Sequence, residues 1–185
     1  WISRYPVTNR QYQAFIDDGG YKQKHWWTGL RKPKPQTSRW PQGNRPRTNV
    51  DWYEATAFCR WLSARLDLPA DGVRLPTEEE WERAARGSDG RLYPWGNEYL
   101  SGAANVDEKT FTETGPWNLR ETTAMGLYPQ GRSVEGADDL AGNVSEWCRN
   151  PHHKPEIVEP DESTVPRVLR GGAWFSFPVY ARADY

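Results

Sequence analysis

Sulfur is scarce in this chain, and its scarcity excludes several kinds of protein at once. The 185 residues include two cysteines and one methionine. Cys59 and Cys148 stand in no Cys-x-x-Cys or metal-ligand spacing, which argues against a zinc knuckle and against a disulfide scaffold. Cys59 lies in the apolar run Ala57-Phe58-Cys59-Arg60-Trp61-Leu62 and reads as a small buried hydrophobe, a bond to Cys148 being the lesser alternative. Histidine is equally sparse. His25, His152 and His153 form no His-x-x-x-His pattern, and the adjacent pair in a polar stretch reads as solvated. No apolar run approaches a membrane span and no signal-peptide pattern opens the chain, so the expectation is a soluble, cytoplasmic protein. A net charge of −1 gives no reason to expect nucleic acid, although Lys and Arg are dense between Tyr21 and Arg47.

Aromatic residues, by contrast, are abundant. Eleven Trp, nine Tyr and five Phe sit in a chain whose hydrophobic fraction is only 36%. Each such ring can bury about 150–250 Å², so an aromatic core within a loop-rich single domain is expected. Three helix starts share one device, a side-chain oxygen at the N-cap with Gln or Glu three residues later. They are Thr8 with Gln11, Asp51 with Glu54, and Thr77 with Glu80; the first helix ends before Gly19-Gly20, the second keeps its helical spacing as far as Leu66, and the third stops at Gly87. Beyond Gly87 the helical period disappears and Gly, Pro, Asn and Asp recur around short aromatic pieces, which predicts ordered loops and short strands. Val165 to Arg170 reads as a strand, and His152 to Thr164 as the segment expected to be mobile.

Six pieces follow one another in order: Tyr5-Pro-Val-Thr-Asn9, Val50-Asp-Trp-Tyr-Glu-Ala55, Arg74-Leu-Pro-Thr-Glu-Glu-Glu-Trp81, Tyr93-Pro-Trp-Gly96, Leu140-Ala-Gly-Asn-Val-Ser-Glu-Trp147 and Arg167-Val-Leu-Arg-Gly-Gly-Ala-Trp174. Together they resemble the formylglycine-generating-enzyme (sulfatase-modifying factor) family over nearly the whole chain. The resemblance implies an α+β fold of C-type lectin type, with helices packed on small twisted antiparallel sheets and long ordered loops. It also implies one domain over residues 1–185, clipped at both ends, since family domains usually begin one strand earlier and end one strand later.

Members that generate formylglycine hold copper with two cysteines shortly after the Arg-Gly-Gly motif, and soft sulfur ligands are what select Cu(I). Here that stretch holds Phe175, Ser176, Phe177, Tyr180, Asp184 and Tyr185 and no sulfur, so no copper is expected. The family also contains sulfoxide synthases of ergothioneine biosynthesis, which take iron-binding histidines from a further domain, and non-catalytic variable proteins diversified by retroelements. The resulting expectation is a non-catalytic binding module of the variable-protein kind. Those six C-terminal residues would face an unidentified protein or surface ligand, and Trp174 would belong to the scaffold beneath them. The alternative is an enzyme domain that relies on residues outside this chain. A monomer is expected.

The resemblance suggests calcium as well, with Asp139 and Glu146 contributing side chains and Gly142 and Val144 contributing carbonyls. A second family site would use Asn105 and the Val106 carbonyl. Calcium takes six to eight oxygens, and mixed ligation of this kind suits it. Hydrogen bonds bracing the same loop are the alternative.

Overall fold

A computed structural model describes residues 1–110 and 115–185. Among the described residues the regular elements are helices α1 (Asn9–Asp17), α2 (Trp52–Arg65) and α3 (Glu78–Arg86), strands β1 (Glu146–Pro151) and β2 (Arg167–Arg170), and short 3-10 turns. All three expected capping boxes are formed. The Thr8, Asp51 and Thr77 side chains accept from the backbone N–H three residues on, and Gln11, Glu54 and Glu80 reach back to the N-cap N–H. The boxes satisfy donors that a helix start otherwise leaves unpaired. α3 ends at Gly87 with φ of 64°, a conformation that glycine adopts without penalty.

α1 and α2 bury a common aromatic cluster. Tyr12 stacks on Phe58 at 5.4 Å, Phe15 meets Phe58 edge-on at 6.0 Å, and Trp27, Trp52 and Trp61 complete it. Glu54 is buried with them because its carboxylate has two duties, receiving the Asp51 N–H as part of the cap and the Tyr21 hydroxyl from the side. A second cluster joins α3 to the sheet. Trp81, Ala84 and Ala85 pack against Leu140, Cys148 and Val168.

β1 and β2 pair antiparallel, Trp147 opposite Leu169 and Pro151 opposite Arg167, with a register shift between those pairs. Strand β2 starts at Arg167, two residues later than the sequence pattern suggests, and β1 runs directly out of the oxygen-rich loop. The loop after β1 is tied down at several points. The Arg149 guanidinium donates to the Val158 carbonyl, Arg167 is paired with Asp161 at 2.8 Å, and the Tyr53 hydroxyl donates to the Ser163 carbonyl.

Candidate functional site

After β2 the chain turns back on itself, and that turn places the aromatic residues singled out above. Gly172 has φ of 69°, and a Cβ there would lie 2.8 Å from the Tyr180 carbonyl, so the turn closes only around glycine. Ser176 holds it shut: its Oγ accepts from the Ala173 N–H at 2.9 Å, and its carbonyl accepts from the Asp107 N–H at 2.9 Å. From below, the Arg170 guanidinium donates to the Ala183 and Tyr185 carbonyls. Ser176 is therefore a brace of the turn in addition to being a candidate contact residue.

From this frame Phe175, Tyr180 and Tyr185 project outward, 61%, 41% and 62% exposed. Phe177 is half-buried and lies 6.0 Å from Tyr180, whose ring meets Tyr185 edge-on at 4.9 Å. Asp184 is chelated by Arg182 through two contacts of 2.8 and 2.6 Å, which holds its carboxyl below the usual range. Trp174, expected in the scaffold, is only half-buried and meets Phe175 at 5.1 Å and Trp40 at 5.5 Å, both edge-on. Trp40 was not a candidate, because residues 134 positions apart share no local pattern; the contact becomes visible only in the folded chain.

Substituting Phe175, Tyr180 or Tyr185 by alanine should change the unfolding free energy by no more than about 0.5 kcal/mol, as exposed substitutions usually do. Urea denaturation is the measurement. Losses of several kcal/mol at Phe175 and Tyr180 would assign the segment to the core.

The second candidate, the loop 139–146, is a hydrogen-bond hub. Gly142 (φ of 73°) approaches the Asn105 carbonyl so closely that a Cβ would sit 2.4 Å from it. Asn143 is fully buried: its Oδ1 accepts from the Thr123 N–H and the Asn105 amide, and its Nδ2 donates to Asp139. Asp139 also accepts the Gly126 N–H at 2.7 Å, and burial pushes its carboxyl pKa up. Asp139 is thus engaged as a brace.

Glu146 differs. Its Oε2 accepts the Trp81 indole N–H at 3.0 Å, but its Oε1 is shut away from solvent with no hydrogen-bond partner. Burial, with the nearby Asp139 charge adding to it, pushes the carboxyl up to about 8. The Asn105 Oδ1 is another buried oxygen without a donor, while the Gly142 carbonyl accepts the Val144 N–H at 2.8 Å. Each of these oxygens is an unpaired acceptor of the kind a cation could satisfy. Among the described residues no group of three or more His, Cys, Asp or Glu side chains could hold a metal ion.

Both thiols are free and buried, and burial pushes each up to about 12. A thiol so protonated is a poor nucleophile and metal ligand at neutral pH. Neither belongs to the C-terminal turn.

A family description, the sulfatase-modifying factor enzyme 1-like domain, matches residues 1–184. The chain belongs to this family. Among relatives, hercynine oxygenase of Mycobacterium tuberculosis is 34% identical over all of this chain and 47% of its own length. A formylglycine-generating enzyme of Thermomonospora curvata is 29% identical over 97% of the chain and 72% of its own length. Treponema denticola variable protein 1 shares the fold with a TM-score of 0.62 at 22% identity, over 97% of this chain and 75% of that one. These likenesses place the α+β fold in the C-type lectin class expected for this family. The chain spans about half the length of the curated hercynine oxygenases it matches. Among the described residues no helix is long and apolar enough to cross a membrane.

Proposed function

We propose that this family domain is a non-catalytic ligand-binding module whose contact surface is the C-terminal turn, in the manner of a retroelement-diversified variable protein. One observation carries the reading: a braced turn exposes Phe175, Tyr180 and Tyr185 where the oxidase branch would place copper-binding sulfur. Rigid aromatics supply large contact area at low entropic cost, and neighbouring polar groups tune hydrogen bonding. The ligand class is a protein or surface ligand. Calcium, where bound, would be held by Glu146 with carbonyls of the 139–146 loop, and it would supply stability rather than chemistry.

The second reading, an enzyme domain that works with a further part of a longer protein, draws on the identity with hercynine oxygenases, of which this chain matches about half. One experiment tests the binding-module reading against the copper-oxidase chemistry of the family. Purified protein should show no stoichiometric Cu(I) binding and no conversion of a sulfatase-type cysteine peptide to formylglycine, as read by mass spectrometry. Conversion that survives alkylation of Cys59 and Cys148 would overturn the binding-module reading. A reverse-transcriptase gene beside a near-copy of the 3′ coding end would support the variable-protein form of it.

A further inference from the structure

Between Gly19 and Val50 the sequence carries eight Lys and Arg residues and not one Asp or Glu, although the whole chain has a net charge of −1. Charge of one sign is therefore concentrated in a single segment. Of these cations, Lys22, Lys24, Arg31, Lys32, Lys34 and Arg39 are exposed and form no ion pair among the described residues.

The later part of this segment forms one wall of an open groove of about 440 Å³ whose other wall is α1. Thr37, Ser38, Pro41 and Gly43 face Asn9, Arg10 and Gln13 across it, with Arg47 alongside. The wall is fixed in place: the Asn9 amide donates to the Trp40 and Gln42 carbonyls at 2.8 and 3.0 Å, and the Arg10 N–H to the Gly43 carbonyl at 3.0 Å. The Arg47 guanidinium lies over the Tyr12 ring at 4.7 Å. Asp17, the acidic residue on the lining, has its carboxylate held by the Gln13 amide at 2.8 Å. Two lining residues keep unsatisfied buried atoms, an acceptor at Asn9 Oδ1 and a donor at Arg47 Nε.

We propose that this groove is a second contact site, which takes an acidic polypeptide segment. Arg10 and Arg47, with Arg39 on the same loop, meet the carboxylates. Two guanidinium groups against the single carboxylate of Asp17 leave the lining net positive, which suits a segment that carries carboxylates. A volume of this size also suits a short stretch of side chains. The site is distinct from the C-terminal turn, and the two are linked through Trp40, which lies between Arg39 and Trp174.

The test uses the full chain and a fluorescein-labelled peptide alternating Glu and Gly, with an oligothymidylate of equal charge as the competing class. Fluorescence anisotropy should show peptide binding that weakens with salt. Arg10→Glu and Arg39→Glu should each weaken it at least tenfold. Lys154→Glu, the same charge change in an exposed residue of the loop after β1, should leave it within about twofold, as should Phe175→Ala, so loss of the C-terminal contact surface is read separately. Circular dichroism of each variant confirms folding. Absence of peptide binding, equal weakening by Lys154→Glu, or tighter binding of the oligothymidylate would each overturn the proposal.

Discussion

Replacing Trp81 with alanine should lower the thermal midpoint by about 10 °C or more. Trp81 has no solvent exposure, and its ring sits at the junction of α3, the sheet and the Gly171 turn, where a Gly171 Cβ would lie 3.1 Å from it. Truncating a buried aromatic costs about 3–5 kcal/mol through lost transfer energy and the cavity left behind. A further penalty comes from Glu146, whose Oε2 would lose the indole N–H while its Oε1 is already unpartnered. An unsatisfied buried acceptor costs about 1–3 kcal/mol. Each kcal/mol is worth roughly 2–4 °C for a protein of this size. Differential scanning calorimetry measures the shift; a change of only a few degrees would show that the interface collapses around the gap. Trp81→Phe separates the two contributions, since it keeps most of the packing and removes the donor.

In chelator, stability should fall as pH rises from about 4.5 to about 8, and Glu146→Gln should flatten much of that slope, the remainder coming from Asp139 and Glu54, whose carboxyls burial also pushes up. The sign follows from the direction of the shift. Burial raises the Glu146 carboxyl from 4.5 to about 8, so the folded protein holds this proton more tightly than the unfolded chain. Stability from this group is fully present below the unfolded value and is lost as pH climbs through the folded one. At 1.36 kcal/mol per unit the loss amounts to roughly 5 kcal/mol. Carboxyls held low by arginines, such as Glu80 and Asp138, lose their contribution at more acidic pH, outside this window. Calcium should reverse the behaviour at pH 8. A cation that binds only the native state adds about 2.7 kcal/mol at a hundredfold excess over its Kd. Wild type should then melt higher in calcium than in chelator, and Glu146→Gln should show no difference. Identical melts of wild type in the two buffers across pH 5–9 would leave the loop braced by hydrogen bonds alone.

Much of the local structure was legible because its causes are local. Each helix start needs an oxygen at the N-cap and a partner three residues on, and Thr8, Asp51 and Thr77 supply them within one turn. The strand before Gly171-Gly172 was legible for the same reason, though its first two residues fell outside the pairing. The oxygen-rich loop was legible as a candidate, but its division of labour was not. Asp139 and Glu146 look alike as carboxylates, yet one is saturated by Gly126 and Asn143 and the other retains a free oxygen. That difference depends on where Trp81 arrives from α3, 65 residues away.

The sequence by itself determined the helix starts, the family, and the absence of sulfur after the Arg-Gly-Gly motif. These properties rest on residue identity and on spacings of a few positions. The tertiary structure alone decided that Trp174 leans outward onto Trp40, that Ser176 braces the turn it was expected only to decorate, and that Arg10 and Arg47 face one groove. Such contacts join segments tens of residues apart, and which face of a side chain remains open depends on how the helices and the sheet pack around it, which no short-range pattern encodes.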